Sequence, residues 1–362
     1  MQFNAMRLSV ARKRARLSKK GFADRLGVTP HTVTRWENGD TQPLTDNVRQ
    51  FSLLLNFPEA FFFQDDLEIA DASMVSFRSQ KSMTASERDA ALAAGAIGFS
   101  VSDWVEKRFN LPDPNVPDLN LYDPEMAAVI LRQDWGLGEE PISNMVHLLE
   151  SRGVRVFSLT EDTRRVNAFS LWRGERPYVF LNTMKTAENS RFDAAHELGH
   201  LVLHQDGKNT GRSAEDEANL FAAAFLMPKA DVLAQFSGSK TLTRLIALKK
   251  RWRVSLMALI VRLGKLGLIT KWVYRDLCIQ VRMRYKDTEP EGIERERSVV
   301  WQKVMKSLWA EGVTQLDIAR DLGLPEAEVS GLIFGILQGA GDSPEPTKGT
   351  RPRLVSGGGQ SR

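Results

Sequence analysis

Apolar residues along this chain recur mostly at helical spacing, and one stretch breaks the pattern. Up to about residue 65 they mark short helices. The region from about 66 to 120 is mixed and holds one long helix after Thr84, where Ser86 and Asp89 suit a helix start. A linker rich in Pro, Asp and Asn follows, NLPDPNVPDLNLYDP. Two more helices are predicted, from about Pro124 to Trp135 and from about Pro141 to Ser151. The break comes next: GVRVFSL, VNAFSLW and PYVFLN are β-rich, and the turn RGER joins the last two as a hairpin. Helices resume from about Ser190 to His204 and from about Ala214 to Leu226, the second stopped by Pro228. In that second helix Ala218, Phe221, Ala222 and Phe225 form a stripe at i, i+3, i+4 and i+7, and the alanines 222 to 224 leave room for close packing. From about 240 to 338 the pattern is helical, with Leu242, Leu245, Leu256 and Leu259 among the core positions. The last stretch, GAGDSPEPTKGTRPRLVSGGGQSR, has the composition of a disordered tail. The fold class expected is mainly α with a small β-sheet, α+β.

Composition adds limits. With 362 residues, 42% apolar and 26% charged, the chain suits a soluble globular protein of two or three domains. No apolar run approaches the ~18 residues of a membrane span, and the basic N-terminus lacks the apolar core of a signal peptide. The one cysteine, Cys278, excludes an internal disulfide and a thiolate cluster; beside Leu277 and Ile279 it reads as buried and inert. A cytoplasmic location is the expectation. The net charge of +4 is modest, but Arg12, Lys13, Arg14, Arg16, Lys19, Lys20 and Arg25 concentrate positive charge near the N-terminus.

That basic end overlaps a second pattern. LSKKGFADRLGVTPHTVTRWENGDTQP reads as helix, tight turn, helix. Phe22, Ala23 and Leu26 give the first helix an apolar face, and Gly27 allows the turn. Thr29 is placed to cap the second helix with Pro30 at its first position, and Gly39 ends it. Val33 and Trp36 face inward, leaving His31, Thr32, Thr34 and Arg35 outward. A second helix so arranged enters the DNA major groove. Arg35 suits guanine and Thr32 a thymine methyl. The segment resembles the phage-repressor-like (XRE) helix-turn-helix family in its turn and its Trp-Glu-Asn-Gly ending. That family has Gln near the start of the first helix; Lys19 and Lys20 stand there instead, which favours phosphate contact.

The chain has five histidines, and three lie in RFDAAHELGHLVLH. HELGH fits HExxH. On a helix His196 and His200, at i and i+4, stack on one face and can grip one Zn²⁺, while Glu197 borders that face and can reach a metal-bound water. His204 lies eight residues beyond His196, about 12 Å along a straight helix at about 1.5 Å per residue, too far to share an ion comfortably. It is expected to support the site or end the helix. The third ligand comes better from SAEDEANLFAAAFLMP, where Glu215 and Glu217 flank the apolar stripe on opposite sides. Periodicity cannot choose between them. Either completes a His₂Glu site with water in the fourth position.

The pair RFDAAHELGHLVLH and EDEANLFAAAFLMP resembles the ImmA/IrrE family of metallopeptidases, with similarity over roughly 70 to 285. The resemblance implies that the first glutamate of the second helix, Glu215, is the zinc ligand. It implies a zincin-like endopeptidase in which Glu197 is the general base and Zn²⁺ polarises the scissile carbonyl. The organisation expected is then a helix-turn-helix domain over 1–65, a helical connector over 66–120, a peptidase domain over 121–235, a C-terminal helical region over 236–338 and a tail over 339–362. The hairpin AFSLWRGERPYVFL offers either an edge strand for an extended substrate or plain scaffold. Lys249, Lys250, Arg251 and Arg253 read as a solvated face, and GVTQLDIARDLGLPEAEVSGLIFGI, a faint helix-turn-helix echo with an acidic second helix, as a packing or partner-binding element. Expected partners are double-stranded DNA, a protein substrate such as a helix-turn-helix repressor, and a second copy of the chain. The alternative is a non-enzymatic DNA-binding repressor or antitoxin whose metal site is structural or sensory.

Overall fold

The computed structural model describes residues 2–71, 75–77, 83–159, 168–205, 211–237, 241–286 and 288–334. The segment expected to be a disordered tail, most of VSFRSQKSM and most of the loop HQDGKNTGR lie outside them.

Four helices open the chain: α1 (Ala5–Arg14), α2 (Lys19–Leu26), α3 (Pro30–Asn38) and α4 (Thr45–Leu55), followed by a 3₁₀ turn over Glu59–Phe63. The short β1 (Ser76–Phe77) precedes the long α5 (Ala85–Glu106). Next come α6 (Pro124–Asp134), α7 (Met145–Ser151), β2 (Arg155–Leu159), β3 (Ala168–Arg173) and β4 (Arg176–Asn182). The helices α8 (Ala187–Leu203), α9 (Arg212–Leu226), α10 (Lys229–Gln235), α11 (Leu242–Trp252), α12 (Leu256–Lys265) and α13 (Lys271–Tyr285) follow. The last are α14 (Val299–Ala310), α15 (Gln315–Asp321) and α16 (Glu326–Phe334). The class is mainly α with a small sheet, as the periodicity predicts.

Local chemistry sets the helix ends. Thr84 caps α5 in a reciprocal capping box with Glu87, so the signal is Thr84 itself rather than Ser86 or Asp89. Asn144 caps α7 by accepting from the amide of His147, which starts that helix later than Pro141.

Among the described residues the strands form one sheet in the order β1-β3-β4-β2. β3 and β4 are the predicted antiparallel hairpin, closed by Gly174 with φ of +57°. β2 runs parallel to β4. The pleat sorts side chains by parity. Phe157, Phe169, Tyr178 and Phe180 point into one apolar core, and Val156, Ala168, Val179 and Leu181 into another. The sheet is therefore a partition with a core on each side. β1 pairs with β3 at Phe169 and Ser170, so that stretch of β3 is not a free edge for a substrate strand.

The first core joins α1–α5 to the far C-terminal helices α14–α16. Three polar ties reinforce the packing. Arg14 of α1 pairs with Glu328 of α16 at 2.9 Å, the Trp104 indole donates to Asp321 at 3.0 Å, and Ser158 of β2 donates to the Gly331 carbonyl at 2.6 Å. The second core gathers α6–α9 with α11–α13, around Trp252. The described helices of the region expected over 236–338 thus do not pack as one body: α11–α13 sit with α8 and α9, while α14–α16 sit with the N-terminal helices. The helix-turn-helix echo over α15 and α16 buries Val329, Leu332 and Ile333 and serves as packing.

Lys249 departs from the expected solvated face. It is 1% exposed and lies 3.5 Å from Glu188 and 3.2 Å from Glu289. Arg251 pairs with Asp231 at 2.8 Å. Both pairs tie α11 to neighbouring helices, and the buried Lys249 is tolerated there only because it is paired. No helix of the described residues is long and apolar enough to cross a membrane.

Candidate metal centre

α8 is buried almost all round, so its face cannot be read from apolar periodicity. It starts at Ala187, capped by Thr186, and runs under the sheet. α9 packs across it. Their approach is close at Gly199, where an added Cβ would meet the Phe221 ring at 3.0 Å and the Ala218 Cα at 3.2 Å. Only a residue without a side chain lets the two backbones come together there. The apolar stripe of α9, with Ala218, Phe221, Ala222 and Phe225 buried, points the acidic first turn at the histidines.

Three side chains converge at that point. His196 Nε2 and His200 Nε2 are 3.0 Å apart. The Glu215 carboxylate lies 3.5 Å from His196 Nε2 and 3.4 Å from His200 Nε2. Donors at ~2.0–2.1 Å on the corners of a tetrahedron stand about 3.3 Å from one another. The observed spacings match that within a few tenths of an ångström, and the donor set of two imidazoles and one carboxylate suits a divalent ion such as zinc. Burial by itself would raise the Glu215 carboxyl, but hydrogen bonding to His196 and His200 outweighs it and holds the group down to about 2.

Glu217, the other carboxylate left open by periodicity, points elsewhere. Its Oε2 is 2.9 Å from His204 Nε2, and Ser213 donates to its Oε1 at 3.0 Å. His204 stands at the C-terminal cap of α8 and stays outside the three-residue cluster, with its Nδ1 3.0 Å from His200 Nδ1.

Glu197 is fully buried beside His196, and Ser170 of β3 donates to its Oε2 at 2.6 Å. This contact carries no sequence signal, since the partners are 27 residues apart on different elements. Asn219, whose Oδ1 lies 3.2 Å from His196 Nδ1, is likewise not among the residues that the motifs single out. A signal for it does exist: at i+4 from Glu215 it shares that residue's side of the helix.

The N-terminal face divides likewise. Thr29 caps α3, with its Oγ1 accepting from the Thr32 amide at 3.2 Å and lying 2.9 Å from the Thr32 hydroxyl. Gly27 and Gly39 take the positive φ values of +67° and +77° that the turn requires. His31 and Arg35 are exposed on α3, while Thr32 and Thr34 are half-buried. Lys19 turns toward α3, 3.3 Å from Thr34 Oγ1 and 3.4 Å from Glu37. Arg12 is buried against Glu37 at 2.6 Å and Arg14 is paired to α16, so neither adds to the expected basic surface; Lys20 and Arg25 are exposed.

Comparison with known families agrees with both halves. Residues 149–264 match the IrrE N-terminal-like domain of a peptidase family, and residues 8–62 match a helix-turn-helix family. No curated protein sequence matches the chain. The peptidase match is narrower than the 70 to 285 expected, yet it contains both α8 and α9. It makes that segment metallopeptidase-like and implies a bound metal, to which the cluster of His196, His200 and Glu215 corresponds in place.

Proposed function

We propose that this chain, an XRE-type helix-turn-helix segment joined to an ImmA/IrrE-type peptidase segment, is a DNA-binding regulator whose second half is a zinc-dependent endopeptidase. His196, His200 and Glu215 hold the ion, and Glu197 is the general base. The observation that carries this reading is the donor geometry: three donor atoms from two adjoining helices at tetrahedral spacing, with no fourth His, Cys, Asp or Glu in the cluster among the described residues. Three protein ligands mark a catalytic rather than a structural centre.

A zinc ion supplies Lewis acidity, activating water near neutral pH and polarising a peptide carbonyl. The chain's own residues do the rest. Asn219 fixes the His196 ring. Ser170 orients the Glu197 carboxylate, which takes the proton of the attacking water and returns it to the leaving amine. Burial of Glu197 excludes bulk water from that transfer. The substrate class we propose is a helix-turn-helix repressor or antitoxin-like protein, with the DNA-binding head placing the peptidase at an operator. Of the DNA candidates Lys19, Thr29, His31, Thr32, Thr34 and Arg35, the exposure of His31 and Arg35 supports base contact by those two.

The test is cleavage of candidate repressors by the zinc-loaded full chain beside Glu197→Gln. The expected result is a loss of 10²–10⁴-fold in the variant at unchanged zinc content. Equal cleavage by both proteins removes Glu197 from the mechanism. Operator binding without hydrolysis of any candidate by either favours the non-enzymatic repressor.

A further inference from the structure

The carboxylate that does not join the cluster has a position of its own to explain. Ser213, Glu217, His204 and His200 form a continuous line that ends on the site: Ser213 Oγ to Glu217 Oε1 at 3.0 Å, Glu217 Oε2 to His204 Nε2 at 2.9 Å, His204 Nδ1 to His200 Nδ1 at 3.0 Å. His200 then presents Nε2 to His196 and Glu215. His204 is buried, yet it contributes no donor to the cluster.

We propose that Glu217 and His204 are positioning residues that fix the tautomer of His200, so that its Nε2 lone pair faces the metal site. The proposal rests on the zinc reading above. A carboxylate only accepts, so His204 Nε2 must carry the proton and donate to Glu217. The proposal takes His204 as neutral; its one N–H is then spent on Glu217, and its Nδ1 is an acceptor. The contact between His204 Nδ1 and His200 Nδ1 needs one proton, and it comes from His200. His200 Nε2 is thereby left bare, as a metal requires. The opposite polarity would put a proton on His200 Nε2 and block it. His196 reaches the same state in one step by donating from Nδ1 to Asn219 Oδ1.

The spacing explains why two carboxylates stand two residues apart on α9. His196, His200 and His204 lie at successive i+4 positions of α8. The first two turns of α9 cross them with Glu215 toward the two Nε2 atoms and Glu217 toward the third ring. A purely structural tie between the end of α8 and α9 would need the His204–Glu217 contact but would set no tautomer.

The experiment uses the full chain, stripped of metal and titrated with zinc against a competing chelator, together with ¹⁵N NMR of the imidazoles. Zinc-loaded wild type is expected to show His204 protonated at Nε2 and His200 at Nδ1. Glu217→Leu is expected to weaken zinc binding 10–100-fold while the melting temperature of the metal-free protein holds, and to shift His204 toward the Nδ1–H form. Glu217→Gln, which keeps an acceptor oxygen, should recover most of the affinity. Wild type that binds zinc with His204 protonated at Nδ1, or Glu217→Leu with wild-type affinity, overturns the brace and leaves the zinc reading standing. A wild-type protein that takes up no zinc overturns both.

Discussion

His196, Glu197 and His200 are legible as a set because four residues make about one helical turn, so the spacing of HExxH alone places both imidazoles on one face. Glu215 and Glu217 are not separable that way, since they border one apolar stripe on opposite sides. Distance separates them: Glu215 lies on the two Nε2 atoms and Glu217 on His204. Ser170 is invisible in the sequence because its relation to Glu197 depends on how β3 lies over α8. Its role carries a prediction. Ser170→Ala removes a hydrogen bond to a carboxylate, an interaction worth about 1.5–3 kcal/mol. The kcat for whichever repressor is cleaved should fall roughly tenfold or more, at about 1.4 kcal/mol per factor of ten, with zinc content unchanged. Unaltered kcat would show that Ser170 does not orient the base.

Elements are most legible where their ends carry cap chemistry. Thr29-Pro30 and Gly39 bound α3 as expected, while α5 lies where its pattern predicts but starts on a different cap. The basic run at the end of α11 misleads, because nothing local says that Glu188 and Glu289 will bury Lys249. Equally hidden is a reciprocal capping between distant elements. Glu296 accepts from the Met145 and Val146 amides at 2.8 and 3.2 Å, at the start of α7. Glu150, in the last turn of α7, accepts from the Val299 and Val300 amides at 3.0 and 3.2 Å and from Ser298, at the start of α14. Burial, only partly offset by these hydrogen bonds, pushes the Glu150 carboxyl up to about 7. A raised folded-state value means that the folded protein holds the proton more tightly than the unfolded chain. Its contribution is therefore fully present below about pH 4.5 and lost as pH rises through about 7. At 1.4 kcal/mol per pKa unit the span is of order 3 kcal/mol. Denaturant unfolding from pH 5 to 8 should show this decline in the wild type and a flatter profile in Glu150→Gln; parallel profiles would contradict it.

At the scale of the molecule, the sheet divides the chain between two cores, and the order of residues does not follow the division. The helices after α13 return to the N-terminal side of the sheet, where Arg14–Glu328 ties α16 to α1 and Trp104–Asp321 ties the end of α15 to α5. A strand pattern announces the sheet but not which face takes which helix, so the return of α14–α16 cannot be read from periodicity. The outward side of α3 leaves His31 and Arg35 exposed. Arg35→Ala should relax base preference at one operator position and cost about 1–3 kcal/mol in gel-shift assays. A uniform loss on all sequences would make Arg35 a phosphate contact instead.

Catalysis as proposed requires that α8 and α9 hold one divalent ion through three side chains and leave a place for solvent. Diffraction at the zinc absorption edge from crystals of the zinc-loaded full chain measures this directly. One anomalous peak is expected within about 2.0–2.1 Å of His196 Nε2, His200 Nε2 and a Glu215 oxygen, with water completing the shell. A peak closed by a fourth side chain, or no peak between these helices, would contradict it.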